Sequence, residues 1–176
     1  MVHLLKNILS KEECTSLVTY FDIESKQNIS KDDKESYGNT FGFGPSNKFN
    51  SHIEKIKSKV LEFFPENTLL ENVHPYVRAY SNNSQLEKHV DRTDISITVT
   101  ICLESTINKD WPIWAEIDGE DVFYNTNVGD GVLLTHSHET IHWRDKLICD
   151  ENERVVQLFY HWKDVTNTSK TKKTLL

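Results

Sequence analysis

A chain of 176 residues with 37% hydrophobic and 10% aromatic content can close one hydrophobic core, which excludes a disordered polymer and leaves no need for a second domain. Its 20 basic and 27 acidic residues give a net charge of −7, which excludes a general nucleic-acid or anionic-membrane surface. The three cysteines, Cys14, Cys102 and Cys149, are odd in number and form no CxxC, so reduced thiols in a cytoplasmic setting are expected rather than a disulfide framework or a zinc knuckle.

The N-terminal stretch from Met1 to Lys6 is too short and polar for a signal peptide, and no apolar run approaches membrane-spanning length. Ser10 reads as a helix N-cap with Glu13 completing a capping box, and Cys14, Leu17, Val18 and Phe21 follow as one apolar stripe. Residues 24–47 are polar and rich in Ser, Asn, Asp and Gly, which predicts a long loop beside a site. Phe49, Ile53, Ile56, Val60 and Phe63 mark a second helix that Pro65 ends.

From Val73 the period changes. Ile95, Ile97, Val99, Ile101 and Leu103 alternate with Ser96, Thr98, Thr100 and Cys102, a strand with one apolar face. Further strands are predicted near 73–80, 112–117, 121–124, 131–135 and 154–162, with turns at Asp118-Gly119 and Gly129-Asp130-Gly131. Two helices followed by a run of strands predict a single α+β domain over 1–176, its strands forming a sandwich or barrel. Its parts are a helical lead over 1–65, a strand core over 73–162 and a polar, frayed tail over 166–176.

Among eight histidines the informative arrangement is His89-Val90-Asp91. On extended backbone, residues i and i+2 face the same side, so an imidazole and a carboxylate converge. A second histidine from a later strand would complete a two-His, one-carboxylate face, which binds Fe(II) and leaves positions open for co-substrate and O2. Thr98 and Thr100 share the polar face of their strand and would either meet solvent or line a cavity. Trp111, Trp114 and Trp143 are placed at the mouth of the site or in the packing.

Tyr80, His89-Val90-Asp91, the strand 95–103, Gly129-Asp130-Gly131, His142-Trp143-Arg144 and the strand opened by Arg154 occur in an order that resembles the prolyl 4-hydroxylase-like branch of the 2-oxoglutarate/Fe(II) dioxygenases. The resemblance covers residues 73–162 and the two preceding helices. It implies a double-stranded β-helix (jelly roll) with the two helices packed on one sheet, and iron held by His89, Asp91 and His142. His138 is the alternative distal ligand, His136 and His138 otherwise belong to a loop at the pocket mouth, and His161, His3, His52 and His74 have no assigned role. Arg154 is the implied partner of the far carboxylate of 2-oxoglutarate, with Arg144 as the alternative anchor and Tyr80 contributing its hydroxyl. The implied activity is 2-oxoglutarate-dependent hydroxylation of an unactivated C–H bond, with O2 as co-substrate. The substrate would be a peptide, a protein (through a prolyl residue) or a small molecule, and residues 24–47 would act as a lid. Two other readings stand beside it: a cupin-like metal enzyme that does not use 2-oxoglutarate, and a silent jelly-roll binding module.

Overall fold

Alternation in the sequence becomes two facing antiparallel sheets in a computed structural model that describes residues 1–27, 40–43 and 47–166. The helices are α1 (Lys11–Gln27), a short α2 (Asn47–Asn50) and α3 (Ile53–Leu61). The strands are β1 (Val2–Leu5), β2 (Thr40–Phe43), β3 (Leu70–Asn72), β4 (Tyr76–Tyr80), β5 (Leu86–His89), β6 (Ile97–Ser105), β7 (Ile113–Ile117), β8 (Glu120–Tyr124), β9 (Gly131–Leu134), β10 (His142–Arg144) and β11 (Val155–Asp164). The larger sheet runs β1-β9-β6-β11-β4-β2, with β3 also pairing β11, and the smaller runs β5-β10-β7-β8.

The expected capping box forms reciprocally: the Ser10 amide donates to Glu13 Oε2 at 2.7 Å and the Glu13 amide donates to Ser10 Oγ at 3.1 Å. The apolar stripe of α1 then buries Cys14, Leu17, Val18 and Phe21 in one core with Ile53, Ile56 and Val60 of α3. The outer face of the larger sheet supplies Ile97, Val99, Ile101 and Leu103 from β6 and Val156, Leu158, Tyr160 and Trp162 from β11 to the same core. The intervening residues of β6 and β11 therefore face the smaller sheet. Antiparallel register sets His161 opposite Thr98, Phe159 opposite Thr100 and Gln157 opposite Cys102. On the other flank of β11, Phe159 lies opposite Tyr76, Gln157 opposite Arg78 and Val155 opposite Tyr80. This inner face is where the chemistry-bearing side chains collect.

Three features differ from the sequence expectation. The segment 24–47 is not all loop: α1 continues to Gln27 and β2 occupies Thr40–Phe43 at the sheet edge, while 28–39 and 44–46, and with them the expected lid, lie outside the described residues. β1, β3 and β10, of three or four residues each, are too short to show a period. Phe63 is 41% exposed, just beyond α3, and packs against the ring of His3 rather than continuing the buried stripe. The expected frayed tail lies outside the described residues apart from Thr166. No helix among the described residues is long and apolar enough to cross a membrane.

Candidate metal centre

His89 ends β5 and His142 opens β10, and the two are direct antiparallel partners. Asp91 follows His89 by two residues, with Val90 between them 43% exposed. One ligand atom from each of His89, Asp91 and His142 lies within 4.8 Å of the others. Each Nε2 stands 3.8 Å from Asp91 Oδ1, and the two imidazoles are 4.3 Å apart at their centres.

The surroundings orient each donor. Nδ1 of His89 lies 2.8 Å from the Glu87 carbonyl, and Nδ1 of His142 lies 2.9 Å from the Thr140 carbonyl. Each carbonyl accepts the Nδ1 proton, which leaves Nε2 as the lone-pair donor toward the centre. Thr98 Oγ1 donates to Asp91 Oδ2 at 2.5 Å, and the Asp91 amide donates to the Ser137 carbonyl at 2.9 Å. The second carboxylate oxygen is thereby held, and Oδ1 faces the histidines. Burial, and secondly the neighbouring His89, lowers the pKa of His142, which favours the neutral imidazole that metal binding requires. Two imidazoles and a carboxylate on one side suit a six-coordinate ion with open opposite positions.

The trio opens into a cavity of about 450 Å³ between the sheets. Thr98 and Thr100 line it, so the polar face of β6 meets the cavity rather than bulk solvent. Tyr76, Arg78, Phe159, His74 and His161 also line it. The sequence reading gave no role to these five. The alternation Tyr76-Arg78-Tyr80 was the available signal for Arg78, since i, i+2 and i+4 on a strand share a face.

The expected anchor Arg154 is placed elsewhere. Its guanidinium is engaged by Asp22 of α1 at 2.7 and 2.9 Å and by Glu104 at 2.5 Å, on the helix-covered side of the sheet. These carboxylates raise its pKa, Asp22 foremost. Arg154 immediately precedes β11, whose inward set begins at Val155, so a shift of one residue turns its side chain to the opposite face. Arg144 behaves differently. It follows His142 by two residues on β10, is 2% exposed, and donates from Nη1 to the Trp111 carbonyl at 2.8 Å. Its Nε and Nη2 are buried with no hydrogen-bond partner among the described residues. The guanidinium lies 4.8 Å from the Trp111 ring, and Tyr80, fully buried, packs on the same indole at 4.9 Å.

His136 and His138 stand outside the trio: His136 pairs with Thr135 Oγ1 at 3.1 Å and His138 Nε2 lies 3.4 Å from Glu139. Of the three tryptophans expected at the mouth or in the packing, Trp111 backs Arg144, whereas Trp114 and Trp143 stack on each other at 5.9 Å. Trp143 alternates with His142 and Arg144 along β10, which puts the stack on the outer face of the smaller sheet.

No protein-family model matches the chain, and no curated relative does. Solved structures do match in fold. A prolyl-4-hydroxylase from Pseudomonas putida superposes with a TM-score of 0.73 at 11% identity, over 92% of each chain. HygX from Streptomyces hygroscopicus, solved with nickel and 2-oxoglutarate bound, gives 0.70 at 10% identity, over 91% of this chain and 82% of its own. SnoN, an α-ketoglutarate-dependent epimerase from nogalamycin biosynthesis, gives 0.75 at 10% identity, over 93% of this chain and 76% of its own. The chain shares the fold of 2-oxoglutarate-dependent, metal-using enzymes of differing chemistry.

Proposed function

We propose that this protein is an Fe(II)- and 2-oxoglutarate-dependent oxygenase built on a double-stranded β-helix, with His89, Asp91 and His142 as metal ligands. The observation that carries the reading is on β10. One three-residue strand presents His142 to the trio and, two residues on, a buried guanidinium with two nitrogens that have no partner among the described residues. A buried cation with no carboxylate partner among the described residues is costly, so the fold that retains it implies an anion that comes and goes. A dicarboxylate whose keto-acid end reaches the metal and whose far carboxylate reaches Arg144 satisfies both ends, with Tyr80 beside the far end. When bound, iron would supply activation of O2, the oxidant of the C–H bond, with 2-oxoglutarate giving two of the electrons that O2 takes up.

The chain's own residues do the rest. Thr98 fixes Asp91, Glu87 and Thr140 fix the imidazole tautomers, and Trp111 and Tyr80 wall Arg144 from water. The prolyl side chain of a peptide is the first substrate to try, by analogy with the Pseudomonas putida neighbour; fold likeness alone is a weak guide to substrate. The test is anaerobic titration of the Fe(II)-loaded protein with 2-oxoglutarate. A visible charge-transfer band and calorimetric binding are expected in the wild type. Arg144→Gln should lose about two to three orders of magnitude in 2-oxoglutarate affinity, as breaking a buried charge pair does. Absence of both band and binding in the wild type would favour a metal enzyme that does not use 2-oxoglutarate.

A further inference from the structure

Along β6 and β11 the inward side chains fall on successive levels: Thr98 opposite His161, Thr100 opposite Phe159, and Cys102 opposite Gln157. The first two pairs line the metal cavity. The third lines a second cavity of about 340 Å³, deeper between the sheets, together with Val155, Trp111 and Asn125. Among the described residues no side chain lines both. A buried polar contact joins the two linings: Thr100 Oγ1 donates to Gln157 Oε1 at 3.1 Å, and Gln157 is 1% exposed.

Strand pairing is irregular at this level. Val156 lies opposite Glu104 but Gln157 lies opposite Cys102, so Leu103 is an extra residue in β6. A bulge of this kind re-aims the side chains beside it and is common next to functional sites. Leu103 joins the helix-side core, while Cys102 and Gln157 turn inward. Trp111 ties this level to the anchor: it lines the second cavity, and the Arg144 guanidinium lies 4.8 Å from its ring. His142 and Arg144 are two residues apart on β10, which is about 7 Å along a strand. Thr98, which holds Asp91, is likewise two residues from Thr100. A ligand that reaches from the metal to Arg144 therefore spans one level and ends against Thr100 and Gln157.

We infer that Gln157, braced by Thr100 and backed by Cys102, is the end wall of the co-substrate's chamber and restricts it to a five-carbon keto diacid. This rests on the oxygenase reading and adds a specificity-determining residue to it. The room behind the wall is already built into the fold, so shortening Gln157 joins the two cavities and makes space for a longer chain.

The test titrates the anaerobic, Fe(II)-loaded protein with 2-oxoglutarate and with 2-oxoadipate, which is longer by one methylene. Binding is followed by calorimetry and by the visible band. The wild type should prefer 2-oxoglutarate by about tenfold or more, the usual scale of one methylene in a closed pocket. Gln157→Ala should bring the two diacids to within about threefold of each other, chiefly by gaining affinity for 2-oxoadipate. Gln157→Met keeps the bulk without the bond to Thr100 and should keep the preference. Cys102→Ala, a smaller cut in the same wall, should fall between, and it carries the test if Gln157→Ala does not fold. Arg144→Gln should weaken both diacids alike, which separates the anchor from the wall. Equal binding of the two diacids by the wild type overturns the inference. So does a wild-type preference retained in both Gln157→Ala and Cys102→Ala. A wild type that binds neither diacid sinks the oxygenase reading, and the end wall with it.

Discussion

At the scale of single residues, metal retention should depend on three side chains and on the atoms that aim them. His89→Ala, Asp91→Ala and His142→Ala each remove one of three donors, so iron content after anaerobic desalting should fall to near zero in each. His138→Ala should retain iron, because its ring lies outside the trio and beside Glu139. A finer expectation concerns Thr98, whose hydroxyl donates to Asp91 Oδ2. Thr98→Val keeps the shape and removes the donor, so metal affinity should drop by about tenfold to a hundredfold, as loss of an outer hydrogen bond to a ligand commonly does. An unchanged iron dissociation constant in Thr98→Val would show that the hydroxyl does not position the carboxylate. His89 and Asp91 were legible as a pair because i and i+2 on extended backbone share a side; which later histidine joins them is a matter of strand pairing, and β10 brings His142 opposite His89.

At the scale of elements, one residue of register separates Arg154 from Val155 and the helix-covered side of the sheet from the cavity. Arg154→Ala should leave 2-oxoglutarate affinity unchanged. It should lower stability by about 1 kcal/mol or less, because its partners Asp22 and Glu104 are each roughly a third exposed and the pairs are screened. Calorimetry and urea denaturation read the two effects separately, and a large 2-oxoglutarate defect in Arg154→Ala would return the anchor to that strand. The turn before β9 is a second test. Gly129 has φ +90°, and a Cβ there would collide with the Leu9 carbonyl. Backbone on both sides cannot yield, so Gly129→Ala should cost several kcal/mol through strain and displacement of the segment before α1. By contrast Gly119, at φ +82° in the β7–β8 turn, has open space around it, and Gly119→Ala should cost only the left-handed backbone penalty of about 1 kcal/mol.

At the scale of the whole molecule, Asp130 ties the N-terminal segment to the sheet. It is 2% exposed and accepts from Lys6 Nζ at 2.8 Å, the Asn7 amide at 2.9 Å and the Asn127 amide at 3.0 Å. Burial alone pushes this carboxyl up, but Lys6 and the amides outweigh burial and hold its pKa below the usual value. A folded pKa below the unfolded one means stability that is present above the unfolded value, near 4, and lost as pH falls through the folded value. Denaturation midpoints should therefore fall as pH is lowered below about 4. Asp130→Asn should be less stable at neutral pH and show a shallower acid limb. Iron should act globally too: an ion bound by β5, the residues just after it, and β10 couples the edge of the smaller sheet, so the unfolding midpoint should rise with Fe(II) concentration in the wild type and not in Asp91→Ala.

The sequence by itself determined what local periodicity and short spacing encode. The capping box and apolar stripe of α1, the alternation of β6 and the convergence of His89 with Asp91 are properties of adjacent residues, because the side-chain periods of helix and strand are fixed by the backbone. Tertiary structure decided what depends on partners far along the chain. The three-residue strands exist only because longer neighbours supply their hydrogen bonds, as β11 does for β3 and β5 and β7 do for β10. The same pairing turned Arg154 to the helix side and Arg144 inward. It also brought Arg78 to the metal cavity, because which face of a strand is buried is set by the sheet packed against it.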